Sequence, residues 1–154
     1  MDRIDARLLA QLQDDADRTA DQLAVAVPLS PSAIQRRIRR LKQAGLIERT
    51  VAILDPGKVG AGTCCVAALQ VERERPELLA QLRRWLDREP LVQQAYYVTG
   101  DAYFILIVAA PDMERYEALM SRLMAENPNV RRYNTNVSLG IVKRGLTVPL
   151  PAVD

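Results

Sequence analysis

The sequence predicts an α+β chain in two parts. Three N-terminal helices form a helix-turn-helix of winged-helix-like type, and a ferredoxin-like βαββαβ domain follows. Three observations predict this. Up to Gly45 the apolar residues recur at helical spacing, interrupted by "DDADR" and "VPLSP". Beyond "LDPGKVGAG" the periodicity changes, and two helical stretches alternate with four strand-like runs in the order β-α-β-β-α-β. The basic charge, finally, is local. Residues 30–50 carry five Arg, one Lys and one Glu, whereas residues 1–29 carry three Arg against six Asp, and the remainder is balanced.

The elements follow in order. Ile4, Leu8, Leu9 and Leu12 make the apolar stripe of the first helix, with Asp2 placed to cap it. Thr19 and Gln22 have capping-box spacing and start a second, short helix carrying Leu23 and Val27. Ser30 is a good N-cap for the third helix, and Pro31 sits at its first position, where a missing N–H does no harm. That helix runs to about Ala44, and Gly45 suits the left-handed residue just past its end. The helix-turn-helix domain is thus expected at 1–50, and a hinge with a short extended piece around Val51–Leu54 at 51–62.

The second domain is expected at 63–145, with a tail at 146–154. A strand at 63–71 leads to a helix at about 76–87 with Leu78, Leu79, Leu82, Trp85 and Leu86 on its apolar face. Strands at 92–98 and 102–110 flank the tight "TGD" connection. A helix at about 112–126 buries Met113, Tyr116, Met120 and Leu123, and "NPN" stops it. The last strand is expected from Val130 to about Ile141. In it Tyr133, Thr135, Val137, Leu139 and Ile141 alternate with Arg132, Asn134, Asn136 and Ser138. Helices cover only one side of such a sheet, yet runs 63–71 and 102–110 are apolar on both faces. Pairing with a second copy is the simplest cover, so at least a homodimer is expected.

Composition narrows the chemistry. The chain is 49% hydrophobic and 26% charged, which is the balance of a soluble globular protein. "AYFILIVAAP" is too short to span a bilayer, and no export signal opens the chain, so no membrane partner and a cytoplasmic location are expected. There is no histidine, which removes the usual activator of a nucleophile and the commonest transition-metal ligand. Cys64 and Cys65 are adjacent and would point to opposite faces of a strand, so no disulfide and no metal site is expected of them. Neither a cofactor nor an enzymatic activity is expected.

A helical wheel, at about 100° per residue, sorts the basic segment "LSPSAIQRRIRRL" into two faces. Ile34, Ile38 and Leu41 fall together and seat the helix. Ser32, Arg36, Arg39, Arg40 and Gln43 fall opposite, with Gln35, Arg37 and Lys42 on the flanks. No carboxylate stands between Leu29 and Ile47. A merely solvated face usually mixes signs. Like charges along one helix, in the second helix of a helix-turn-helix, point to double-stranded DNA. Ser32, Gln35 and Arg36, near the helix start with the capping Ser30, are candidates for reading base edges. Arg37, Arg39, Arg40 and Lys42 are candidates for phosphate contacts. Arg37 has a second reading, as a brace within the domain.

The chain as a whole resembles the Lrp/AsnC family, the feast/famine transcriptional regulators of bacteria and archaea. "DRIDARLLAQLQDDADRTADQLA" is similar to the family's opening helices and "LSPSAIQRRIRRLKQAGLI" to its recognition helix. "AILDPGKVG" resembles its hinge, and "VTGDAYFILIV" with "PDMERYE" the core of its effector domain. The resemblance implies a homodimer built through the C-terminal sheets, with assembly to tetramers or octamers, and amino-acid effectors bound between dimers. Carried onto this sequence, the effector pocket involves Gly100, Asp101, Tyr103, Thr135 and Asn136. Gly100 and Asp101 also fit the role of ordinary turn residues.

Two departures stand out. The family usually reads G-D-x-D at this turn, and Tyr103 replaces the second acid; a phenol supplies no charge for an α-ammonium group. This departure leaves open an effector other than an ordinary amino acid, or none. Pro28 stands where a glycine is common, so the turn before the third helix must be made without a left-handed residue. The function expected is sequence-specific transcriptional regulation tuned by an amino acid or other small metabolite. The alternatives are an effector-independent DNA-organising protein and a small ferredoxin-like dimeric enzyme.

Overall fold

Local capping explains where the three N-terminal helices of this computed structural model begin. It describes residues 1–151, so the last three residues of the expected tail lie outside the described residues. Helices α1 (Arg3–Asp14), α2 (Ala20–Ala26) and α3 (Pro31–Gln43) belong to one compact unit, Met1–Ile53 together with the chain from Lys143; Leu54–Val142 forms the other. The Asp2 carboxylate accepts from the Asp5 N–H at 2.7 Å while the Asp2 N–H donates to Asp5 Oδ2 at 3.0 Å. Thr19 and Gln22 make the same reciprocal pair at the start of α2. Ser30 Oγ accepts from Ala33 N–H at 3.3 Å, with Pro31 behind it. At the end of α3 the Leu46 N–H returns to the Leu41 carbonyl and the Gly45 N–H to that of Lys42, with Gly45 at φ 72°. A side chain at Gly45 would meet no clash but would be forced into the left-handed region.

The turn at Pro28 is made as its ring requires. The Leu29 N–H donates to the Val27 carbonyl at 2.7 Å, and no described non-glycine residue has a positive φ. Leu8, Leu9, Leu23, Val27, Ile34 and Leu41 are buried at the centre of the unit, with Ile4, Leu12 and Ile38 packed around them. The wheel reading of α3 therefore holds. The chain from Lys143 joins this core. Gln13 clamps the Val148 backbone, accepting from its N–H at 2.8 Å and donating to its carbonyl at 3.1 Å, and Leu150 packs on the apolar cluster. The piece at Val51–Leu54, expected to be extended, has no assigned secondary structure and joins no sheet.

The second unit contains β1 (Thr63–Val71), α4 (Pro76–Arg88), β2 (Val92–Tyr97), β3 (Phe104–Ala110), α5 (Met113–Glu126) and β4 (Val130–Val137). The strands are antiparallel in the order β2-β3-β1-β4, the ferredoxin-like arrangement. Alternation sends Cys65, Ala67 and Leu69 of β1 and Phe104, Leu106, Val108 and Ala110 of β3 to the helix side. There they pack on Leu82 and Leu86 of α4 and Tyr116, Leu119 and Met120 of α5. The opposite side of the same strands presents Val66, Ala68, Ile105 and Ile107, all half-buried and covered by no helix. Met113, expected on the buried face of α5, is 38% exposed.

The last strand is shorter than its alternation suggests. It ends at Val137, and Leu139, expected on an apolar face, is fully exposed. The reason lies in its neighbour: β1 begins at Thr63, so the ladder closes with the Ser138 N–H donating to the Cys64 carbonyl at 2.8 Å. Beyond that point no strand remains to pair with. Ser138 Oγ then bonds the Gly140 carbonyl and holds a local turn.

Candidate functional site

Helix α3 presents the polar face that its sequence pattern requires. Ser32, Gln35 and Arg36 are exposed in its first turns, and Arg39 and Lys42 further along. Among the described residues Arg36, Arg39 and Lys42 have no ion-pair partner. Ser30 Oγ is occupied as the cap and lies 3.2 Å from Ser32 Oγ, so Ser30 shapes the helix start rather than projecting from it.

Arg37 and Arg40 behave differently. Arg37 Nη1 donates to Asp2 Oδ2 at 2.5 Å and to Asp5 Oδ1 at 2.8 Å. Arg40 Nη2 contacts both oxygens of Asp5, at 2.7 and 2.6 Å. Asp5 itself is 2% exposed, the one buried acid of this unit among the described residues. Arg37 thus makes the contacts that a brace within the domain requires, and Arg40 makes one as well. In the sequence Asp2 is legible only as a capping residue; nothing local links it or Asp5 to α3.

These contacts set the proton affinities. Hydrogen bonding from Arg37, then from the Asp5 backbone, holds the Asp2 carboxyl below its usual range. Burial acts to raise Asp5, but the Asp2 backbone N–H and Arg37 outweigh it, so Asp5 is lowered too. Groups whose carboxyls are depressed on folding stabilise fully above their unfolded value, about 3.9, and lose that stabilisation as pH falls through the folded value. With no histidine in the chain, thermal stability of the helical unit is expected to stay flat from about pH 5.5 to 7.5 and to fall only below about pH 4. Melting curves across that range, followed by circular dichroism, check this; a transition near pH 6.5 would contradict it.

The candidate effector residues are spread rather than gathered within one copy. Gly100 takes φ 113° in the turn between β2 and β3, a conformation that L side chains rarely adopt. The neighbouring Asp101 carbonyl accepts from Gln70 Nε2 at 2.6 Å, and Gln70 Oε1 in turn accepts from Arg132 Nε at 2.8 Å. Tyr103 Oη donates to Glu74 Oε1 at 2.6 Å, and that carboxylate pushes the phenol pKa up. The loop carrying Glu74 is held by Asn129, which bonds both the N–H and the carbonyl of Arg73. Thr135 and Asn136 point to opposite faces of β4. Thr135 shares the helix side with Ala67 and bonds Tyr116 Oη at 2.6 Å, whereas Asn136 pairs with Val66 on the open side. The polar roles of Gln70, Glu74, Tyr116 and Arg132 leave no local signal in the sequence, because they arise from pairing between distant elements. Among the described residues no group of acids, cysteines or histidines is arranged to hold a metal, and no helix is long and apolar enough to cross a membrane.

Comparison with known proteins matches both units. The family described as winged helix-turn-helix DNA-binding covers residues 1–48, and the Lrp/AsnC ligand binding domain covers 64–148. An HTH-type transcriptional regulator of Sinorhizobium fredii is 39% identical over 97% of this chain and 89% of its own length. The leucine-responsive regulatory protein of Escherichia coli is 29% identical over 94% of this chain and 88% of its own. Among solved structures, an AsnC family transcriptional regulator from Agrobacterium tumefaciens superposes with a TM-score of 0.89 at 30% identity, covering 97% of each chain. A feast or famine regulatory protein of Mycobacterium tuberculosis complexed with L-methionine superposes with a TM-score of 0.80 at 27% identity, covering 93% of this chain and 95% of that one.

Proposed function

The chain belongs to the Lrp/AsnC family of DNA-binding transcriptional regulators, and from that premise we propose a homodimeric regulator that reads DNA with α3 and answers to a small metabolite. The observation that carries the reading is the exposed face of α3. Ser32, Gln35 and Arg36 lie at the end of the helix that enters a major groove, and the unpaired Arg39 and Lys42 lie where phosphates would pass. The open, apolar side of the sheet supports the dimer, since two copies facing each other would bury Ile105 and Ile107. Association beyond the dimer follows the family. The L-methionine complex of the mycobacterial relative supports an amino-acid effector. Tyr103 supplies no charge of its own for such a ligand, but it holds the Glu74 carboxylate beside the Gly100 turn. The protein works in the cytoplasm as a binding protein, with no catalytic step.

The test is selection of duplexes from a random library, followed by calorimetry with the common amino acids. One enriched sequence family, bound with a steep salt dependence, is expected, because each neutralised phosphate releases counterions. No enrichment at about 50 mM salt would overturn the DNA reading. Selective DNA binding with no heat from any amino acid would instead favour the effector-independent, DNA-organising role that a tyrosine at position 103 suggests.

A further inference from the structure

Four charged side chains meet between the start of α1 and α3. Asp5 lies in the first turn of α1, is 2% exposed, and receives both Arg37 and Arg40 from α3. Asp2, one turn earlier, receives Arg37 as well. Arg37 is 24% exposed, whereas Arg40 is 56% exposed; what sets both apart from Arg36, Arg39 and Lys42 is the ion pair that each makes with a carboxylate of α1. The partners are 32 and 35 residues apart in sequence, so nothing local requires them to meet.

We propose that Asp5 is a positioning residue: through Arg37 and Arg40 it sets the angle and register of α3 on the domain, and so the selectivity of base reading, without touching DNA. This rests on α3 being the reading helix. The geometry favours it over a purely stabilising role for three reasons. Two turns of α3 are tied at once, which fixes rotation about the helix axis as well as distance. The apolar seat made by Ile34, Ile38 and Leu41 resists separation but is non-directional, so it specifies rotation weakly. Charge-assisted hydrogen bonds are directional and therefore supply what the apolar seat lacks. The consequence for phosphate binding is definite. Arg39 and Lys42 carry it in each protomer, and Arg37 and Arg40 do not.

The experiment uses the full chain and a duplex selected from a random library by the unaltered protein, against a scrambled duplex, over a salt series. Arg39→Gln should weaken both duplexes alike and reduce the salt slope by about 0.9 for each phosphate no longer neutralised. Arg40→Gln should leave the salt slope and the scrambled duplex unchanged while the preference for the selected duplex falls about tenfold, the size of one misplaced base contact. Asp5→Asn, which keeps a capping oxygen but removes the charge, should lower the preference similarly while scrambled DNA binds as well or better. If Arg40→Gln reduces the slope as Arg39→Gln does, Arg40 is a phosphate anchor and the proposal fails. It fails equally if Asp5→Asn binds both duplexes more tightly by the same factor, or if a folded Asp5→Asn keeps its preference. Should Asp5→Asn lose its helical signal, the Arg40→Gln comparison decides alone. If the unaltered protein shows no preference for any duplex, it is the assignment of α3 that falls, a result separable from every outcome above.

Discussion

Ile107→Glu is expected to convert the protein into a monomer without unfolding it. Ile107 sits at the middle of β3, opposite Val66 on β1 and Gln94 on β2, on the side of the sheet that no helix covers. In a symmetric dimer the same residue of each copy meets the same surface, so one substitution places two carboxylates in the interface. Burying an unpaired charge is costly even after relaxation. Together the two should weaken association by at least about 4 kcal/mol, on the order of a thousandfold in Kd. Each copy keeps its core, because Leu106 and Val108 on the helix side are untouched. Sedimentation equilibrium and circular dichroism read the two effects separately. A variant that stays dimeric with full helical signal would show that another surface is used. Loss of the dimer should also remove most specific DNA affinity, since a single copy would reach only half of a two-fold site.

Arg36→Ala should reduce affinity for the selected duplex by about 1–3 kcal/mol and leave binding to scrambled DNA nearly unchanged. Arg36 is exposed in the second turn of α3 and has no partner within the described residues, so its guanidinium is available to fork onto a guanine edge. Removing it deletes no ion pair inside the domain, and the melting temperature should not move. Titrations at one fixed salt concentration measure the difference. Equal weakening on both duplexes would mean that Arg36 binds phosphate, and base reading would then pass to Ser32 and Gln35.

Much of this molecule is legible in its sequence for a physical reason: the signals involved are local. Asp2, Thr19 and Ser30 cap helices because a short side chain can reach an N–H three residues ahead. The seat of α3 follows from periodicity alone, and the strand runs beginning at Thr63 and Val92 start where their patterns do. Features that depend on distant partners are not legible in this way. Alternation past Val137 overstates the length of β4, since a strand extends only as far as the neighbour it pairs with, and β1 starts too late. The return of Val148 and Leu150 to the first unit leaves no trace in the pattern of the tail. Tyr103, a missing acid in the sequence pattern, has an acid held beside it from another loop.

Spacing along the chain is enough to specify the two units, the order of their elements, the face that α3 turns outward and the residues exposed in its first turns. Capping, periodicity and alternation all operate over a few residues, so they are written directly in the order of amino acids. Which arginines of α3 form ion pairs within the domain is of another kind, and it is decided in three dimensions. Arg36, Arg39 and Arg40 share one face on a helical wheel and Arg37 flanks it, and the buried carboxylate that pairs with Arg37 and Arg40 lies more than thirty residues earlier in the sequence. An ion pair is set by distance in space, and spacing in sequence carries no record of it until the chain has folded.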